Sequence, residues 1–150
     1  MKSIRNQTTR EELCRRIEAI TGSETPSWGR MNVGQMVSHL VQAGTLPFEV
    51  TLPDGSNFFA RTFVKPLILY VMPMPKEVKT SKDMNQQEDG RRPDDLATDK
   101  LLVIDSINRL AALPPNQKCQ HHPFFGPMKA KEWCLIAYKH TDHHLRQFGV

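Results

Sequence analysis

Prolines partition this chain. Eleven of its 150 residues are proline, and a helix interior accepts one only by losing a hydrogen bond and clashing with the preceding turn. Four stretches between them carry apolar residues at three- and four-residue spacing, the pattern of amphipathic helices. The first opens at Thr9, where Thr9-Arg10-Glu11-Glu12 reads as a capping box. It shows Leu13, Ile17 and Ile20 on one face and stops at Gly22. A loop through Pro26, Trp28 and Gly29 leads to Asn32, a favoured N-cap, and to a second helix striped by Val33, Met36, Val37, Leu40 and Gly44 and closed by Pro47. The third runs from about Pro93 to about Leu113 on Leu96, Val103, Ile107 and Leu110, until Pro114-Pro115 stops it. The fourth runs from about Lys129 to Phe148.

Residues 47–93 hold six of the prolines and form a long connection. Pro53-Asp54-Gly55 is a turn signal. Leu67-Ile68-Leu69-Tyr70-Val71-Met72 reads equally as one or two helical turns or as a strand. Lys76 to Arg92 is polar and reads as a surface loop. Few strand signals occur elsewhere. The expectation is one all-α domain over residues 1–150, a four-helix bundle with a long crossover between helices 2 and 3.

Charge and cysteines narrow the setting. The net charge is +4, but the basic residues alternate with acids, as in Arg10-Glu11-Glu12 and Lys131-Glu132. The compact pair Arg91-Arg92 runs straight into Pro93-Asp94-Asp95. No basic stripe interleaved with aromatics is present, which argues against nucleic acid as the main partner. No segment approaches the roughly 20 apolar residues of a membrane span. The start, MKSIRNQTTREEL, has no apolar signal core. Cys14, Cys119 and Cys134 are odd in number and far apart, the usage of free thiols in a reducing cytoplasm.

Histidines carry the functional signal. Three of the six lie in His140-Thr141-Asp142-His143-His144. At 100° per residue, Trp133, Ile136, Ala137, His140, His144, Gln147 and Phe148 share one sector, with Lys139, Asp142 and Arg146 opposite. A buried imidazole without a partner costs about 1–3 kcal/mol, and a shared divalent cation removes that cost for both His140 and His144. Imidazole suits zinc, nickel, copper and iron, and an i, i+4 histidine pair chelates from one helix face. His39, beside the apolar stripe of the second helix, is the natural third ligand. Three protein ligands leave a position for water or substrate. His143 lies about 60–80° off the inward face, placing it as a neighbour, a substitute ligand or surface. His121 and His122 read as turn residues before Pro123. No carboxylate lies near the three histidines in sequence on the inward face, so no general base is identified. The alternative is a non-catalytic bundle, structural or stress-related, whose histidines are hydrogen-bonded without metal.

His122-Pro123-Phe124-Phe125-Gly126-Pro127, then Glu132-Trp133, then Tyr138-Lys139-His140-Thr141-Asp142-His143-His144-Leu145-Arg146-Gln147-Phe148-Gly149 resemble the DUF1569 family of the DinB-like superfamily. Trp28-Gly29-Arg30-Met31 and Gln35-Met36-Val37-Ser38-His39-Leu40 resemble the same family's second-helix motif. The resemblance implies an up-down-down-up four-helix bundle, often dimeric. It implies a divalent metal (zinc, nickel, iron or manganese) on a second-helix histidine and a last-helix pair, which fall on His39, His140 and His144. It further implies a metal-dependent enzyme acting on a small molecule, for example a transferase that uses a low-molecular-weight thiol; a three-histidine metal with an open position equally suits activation of water for hydrolysis. Family members tend to carry Ser or Thr just before the last helix, where this chain has Met128-Lys129.

Overall fold

A computed structural model describes residues 1–49, 52–76, 78 and 81–150. Four α-helices dominate: α1 (Gln7–Glu18), α2 (Val33–Thr45), α3 (Leu96–Ala112) and α4 (Ala130–Gln147). Two π-helical turns, Ala60–Val64 and Leu67–Val71, and a 3₁₀ turn, Lys82–Met84, lie between α2 and α3. No strand forms among the described residues; two isolated bridges, Lys118 with Lys129 and His122 with Gly126, tie the loop before α4.

Caps explain where the helices begin. α1 starts earlier than the capping-box pattern predicts. The Asn6 side chain accepts from the Thr9 amide at 2.9 Å, so Asn6 is the N-cap and Thr9 lies inside the first turn. The helix also ends before Gly22, at Glu18; Gly22 adopts φ 98° in the following turn. α2 begins as predicted: Asn32 accepts from Gln35 N, and the Gln35 side chain accepts from Asn32 N in return. α3 starts at Leu96 rather than Pro93, because Asp95 accepts from both the amide and the hydroxyl of Thr98. α4 lacks the expected Ser or Thr. Glu132 reaches back to accept the Lys129 amide at 2.8 Å and also pairs with Lys65 at 2.8 Å.

The packing is asymmetric, and this places the site. α2 packs most extensively on α3, while α1 packs on α3 and α4 and its backbone does not approach that of α2. At Gly44 the backbones of α2 and α3 come so close that a Cβ would sit 2.5 Å from Ser106 Oγ. The α2–α4 seam is much more open. There the middle of the chain is laid in, with Val64, Ile68 and Met74 inward. The apolar run at Leu67 thereby resolves as helix, in its π form, and Leu69 is fully buried. Lys139 of α4 donates to the carbonyls of Ile68 and Met72, holding that segment on the bundle.

The helical wheel of α4 needs one correction. The sector of Trp133, Ile136, His144, Gln147 and Phe148 is buried as predicted, but Cys134, Leu135, Tyr138, Thr141 and Leu145 are buried too. α4 is enclosed on several sides by α1, α3 and the middle segment. Its expected outer residues are therefore engaged: Asp142 pairs with Arg16 of α1 at 2.6 Å, and Lys139 clamps the middle segment.

Candidate functional site

His39 of α2 and His140 and His144 of α4 meet across the open seam. Ligand atoms of the three lie within 4.8 Å of one another, an arrangement able to hold a metal ion. His140 Nε2 stands 3.1 Å from His39 Nε2 and 3.1 Å from His144 Nε2. All three rings meet edge-on.

Two glutamines set the tautomers. Gln86 Nε2 donates to Gln42 Oε1 at 2.9 Å, which leaves Gln86 Oε1 to accept from His39 Nδ1 at 3.0 Å. Gln147 Nε2 donates to the Trp28 carbonyl, which leaves Gln147 Oε1 to accept from His144 Nδ1 at 2.8 Å. The Trp28 carbonyl is presented by Gly29 at φ +81°, where a Cβ would sit 2.7 Å from Gln147 Nε2. With both protons on Nδ1, the Nε2 atoms of His39 and His144 are lone-pair acceptors. Both point at His140 Nε2.

Burial keeps these rings neutral. It lowers the pKa of His39 against the opposing Gln86 bond, and it takes His144 down to about 3. Burial, then the neighbouring imidazoles, holds His140 well below the ordinary histidine value. Three neutral imidazoles with two Nδ1 protons fixed leave at most one proton at the convergence point. One N–H cannot bond linearly to two acceptors. One cation can take all three lone pairs, and metal-bound histidines characteristically donate the other ring N–H to a fixed oxygen, as His39 and His144 do here. Ring nitrogens bound to zinc at about 2.0–2.1 Å lie roughly 2.8–3.4 Å apart for angles near 90–109°, and the two spacings to His140 Nε2, 3.1 Å each, fall in that range.

Of the residues singled out from the sequence, His143 stays outside the cluster: it packs edge-on to Trp28 and His144. His121 bonds the Leu52 carbonyl at 3.0 Å. Trp28 Nε1, at the same end, is the one buried side-chain donor without a partner among the described residues.

The polar stretch Lys76–Arg92 is not merely a surface loop. Gln86 enters the site from it, and Met84 is buried. Arg91, read from sequence as half of an exposed basic pair, anchors this return. Its guanidinium holds Asp99 of α3 through two bonds at 2.6 and 2.9 Å and also donates to Ser38 Oγ at 2.9 Å. Its amide donates to Gln42 Oε1, and its carbonyl accepts from Ser38 Oγ. Asp99 therefore fixes Arg91, Arg91 with Gln42 fixes Gln86, and Gln86 fixes His39. The local signal lay in a carboxylate inside the apolar stripe of α3, where only a paired charge is tolerated.

A cavity of about 1640 Å³ extends from the triad. Its walls come from α2, α3, α4 and the middle segment, and they are predominantly apolar. Asp83 and Glu88 reach its lining, but neither hydrogen-bonds the histidines, whose partners are the two glutamine amides and one another.

The family model described as "Protein of unknown function (DUF1569)" matches residues 4–149. Neither a curated protein nor a solved structure matches the chain. With nearly its whole length matched, the chain belongs to the DUF1569 family.

Proposed function

We propose that this DUF1569 member is a metal-dependent enzyme in which His39, His140 and His144 hold a divalent ion (zinc, nickel, iron or manganese) through Nε2. The observation that carries the reading is the pair of Nδ1 protons committed to Gln86 and Gln147, which turns two lone pairs onto the third histidine. A bound ion supplies Lewis acidity, lowering the pKa of a thiol or of water at neutral pH. The chain's own contribution is orientation and burial of the ligand rings. Gln86 and Gln147 fix the ring planes, burial keeps the imidazoles in the neutral form that metal binding requires, and the mainly apolar walls offer a surface for a substrate's hydrocarbon. A thiol-dependent transferase and a hydrolase both fit this chemistry.

The wider reading is a single DinB-like domain of up-down-down-up topology that works as a homodimer on a small molecule in the cytoplasm. All-helical architecture supports it, as do three free cysteines. Among the described residues no helix is long and apolar enough to cross a membrane. The second reading, a metal-free hydrogen-bonded triad, draws on the 3.1 Å contacts between ring nitrogens.

Elemental analysis of untagged protein separates the two. We expect about one equivalent of a divalent metal per chain, lost in His140→Ala; less than about a tenth of an equivalent, with no uptake on titration, overturns the proposal. Gln86→Leu, which leaves the three ligands in place, is expected to weaken metal affinity about 10–100-fold, as loss of an orienting partner does elsewhere. Competition with a chromogenic chelator measures it, and unchanged affinity would remove Gln86 from the site.

A further inference from the structure

The triad is one polar end of the cavity, and His122 is another. Both border the same space. His122 lies against Trp133, ring centroids 5.1 Å apart, and stacks on Phe125 at 4.4 Å. Trp133 and His140 stand seven residues apart on α4, about 10 Å of helical rise. The lining that the two share is mainly apolar and includes Ala43, Val64, Ile68, Ile107, Ile136 and Ala137.

His122 presents a defined donor. The Phe124 amide donates to its Nδ1 at 3.1 Å, so the neutral ring carries its proton on Nε2. Nε2 has no hydrogen-bond partner among the described residues, and unlike Trp28 Nε1 it is not fully buried. Burial, then the charges of Lys65 and His121, pushes the His122 pKa down to about 4. The ring is thus an uncharged donor at neutral pH. An uncharged donor in a mainly apolar cavity compensates the desolvation of a carboxylate poorly, whereas it satisfies a carbonyl oxygen.

We infer that the substrate is an elongated, mainly apolar molecule that places its reacting group at the triad and a neutral carbonyl oxygen on His122 Nε2–H, about two turns of α4 away. This rests on the triad being the reaction centre. The cavity, about 1640 Å³, has room for such a molecule.

The test uses the full chain stripped of metal, with 2-octanone and 1-octene as probes of equal carbon number, with and without an acceptor. Calorimetry reads affinity, and the shift of the Trp133 indole N–H resonance reports location. Both probes are expected to bind and to shift Trp133. His122→Phe, which keeps the stacking on Phe125, is expected to weaken 2-octanone about fivefold, the worth of one ordinary hydrogen bond, and to leave 1-octene unchanged. Ala137→Phe, which adds a ring to the shared apolar lining, is expected to weaken both, with its melting temperature confirming that it folds. Failure of both probes to bind, binding that leaves Trp133 unshifted, or a ketone affinity indifferent to His122→Phe overturns the inference. Because metal is absent throughout, such a failure leaves the metal reading standing, and a protein that takes up no metal fails on that reading alone.

Discussion

Zinc added to metal-free protein is expected to raise the melting temperature by about 8–16 °C when the free ion stands a thousandfold above its dissociation constant. At that ratio, binding only to the folded state contributes about 4 kcal/mol. In a domain of this size each kcal/mol moves the midpoint by about 2–4 °C. The unfolded chain has no equivalent site, because His39 lies about a hundred residues from the other two. The variant His144→Ala is expected to lose most of the shift, since two ligands remain and Gln147 Oε1 loses its donor. A chelator in excess should return the wild-type protein to its metal-free midpoint. A wild-type midpoint indifferent to zinc, nickel, iron and manganese would mean that the triad is a hydrogen-bonded element of the core.

Much of this site was legible because helix periodicity acts on residues close in sequence. His140 and His144 are four apart, and that spacing alone stacks them on one face. His39 followed from lying beside the apolar stripe of α2. What lay beyond reach was whatever depends on contacts distant in sequence. Gln86 sits in a stretch whose polarity reads as solvent exposure, yet it enters the bundle because Gln42 and Arg91 hold it there. Asp142 and Lys139 read as outward because a wheel assumes a single buried face. α4 has neighbours on several sides, and each residue found a partner on one of them. His122 read as a turn residue, and it is one, closing a bridge with Gly126. The turn happens to set its ring against Trp133. Helix starts moved by a few residues where another residue took the N-cap, as Asn6 did ahead of Thr9 and Asp95 did after Pro93.

Removal of Asp99 is expected to unsettle both the fold and the site. Its side chain is 1% exposed and accepts two bonds from Arg91 and one from the Asp94 amide at 3.2 Å. Breaking one partner of a buried ion pair costs about 3–5 kcal/mol. Arg91 keeps 28% exposure, so water offsets part of this and the expected loss in Asp99→Ala is about 2–4 kcal/mol. That is a large share of the roughly 5–15 kcal/mol that holds a typical domain folded, and it lowers the midpoint by about 4–16 °C. The same variant frees the Arg91 backbone that steadies Ser38, Gln42 and Gln86. Metal affinity should then fall toward the level of Gln86→Leu. A paired replacement separates the two effects. In Arg91→Met with Asp99→Leu no buried charge is stranded, so stability should recover in denaturant titration, while Ser38 and the Gln86 return still lack the guanidinium clamp. Affinity that recovers along with stability would show that the ion pair serves the fold alone; affinity that stays low would place Arg91 and Asp99 among the residues that position His39.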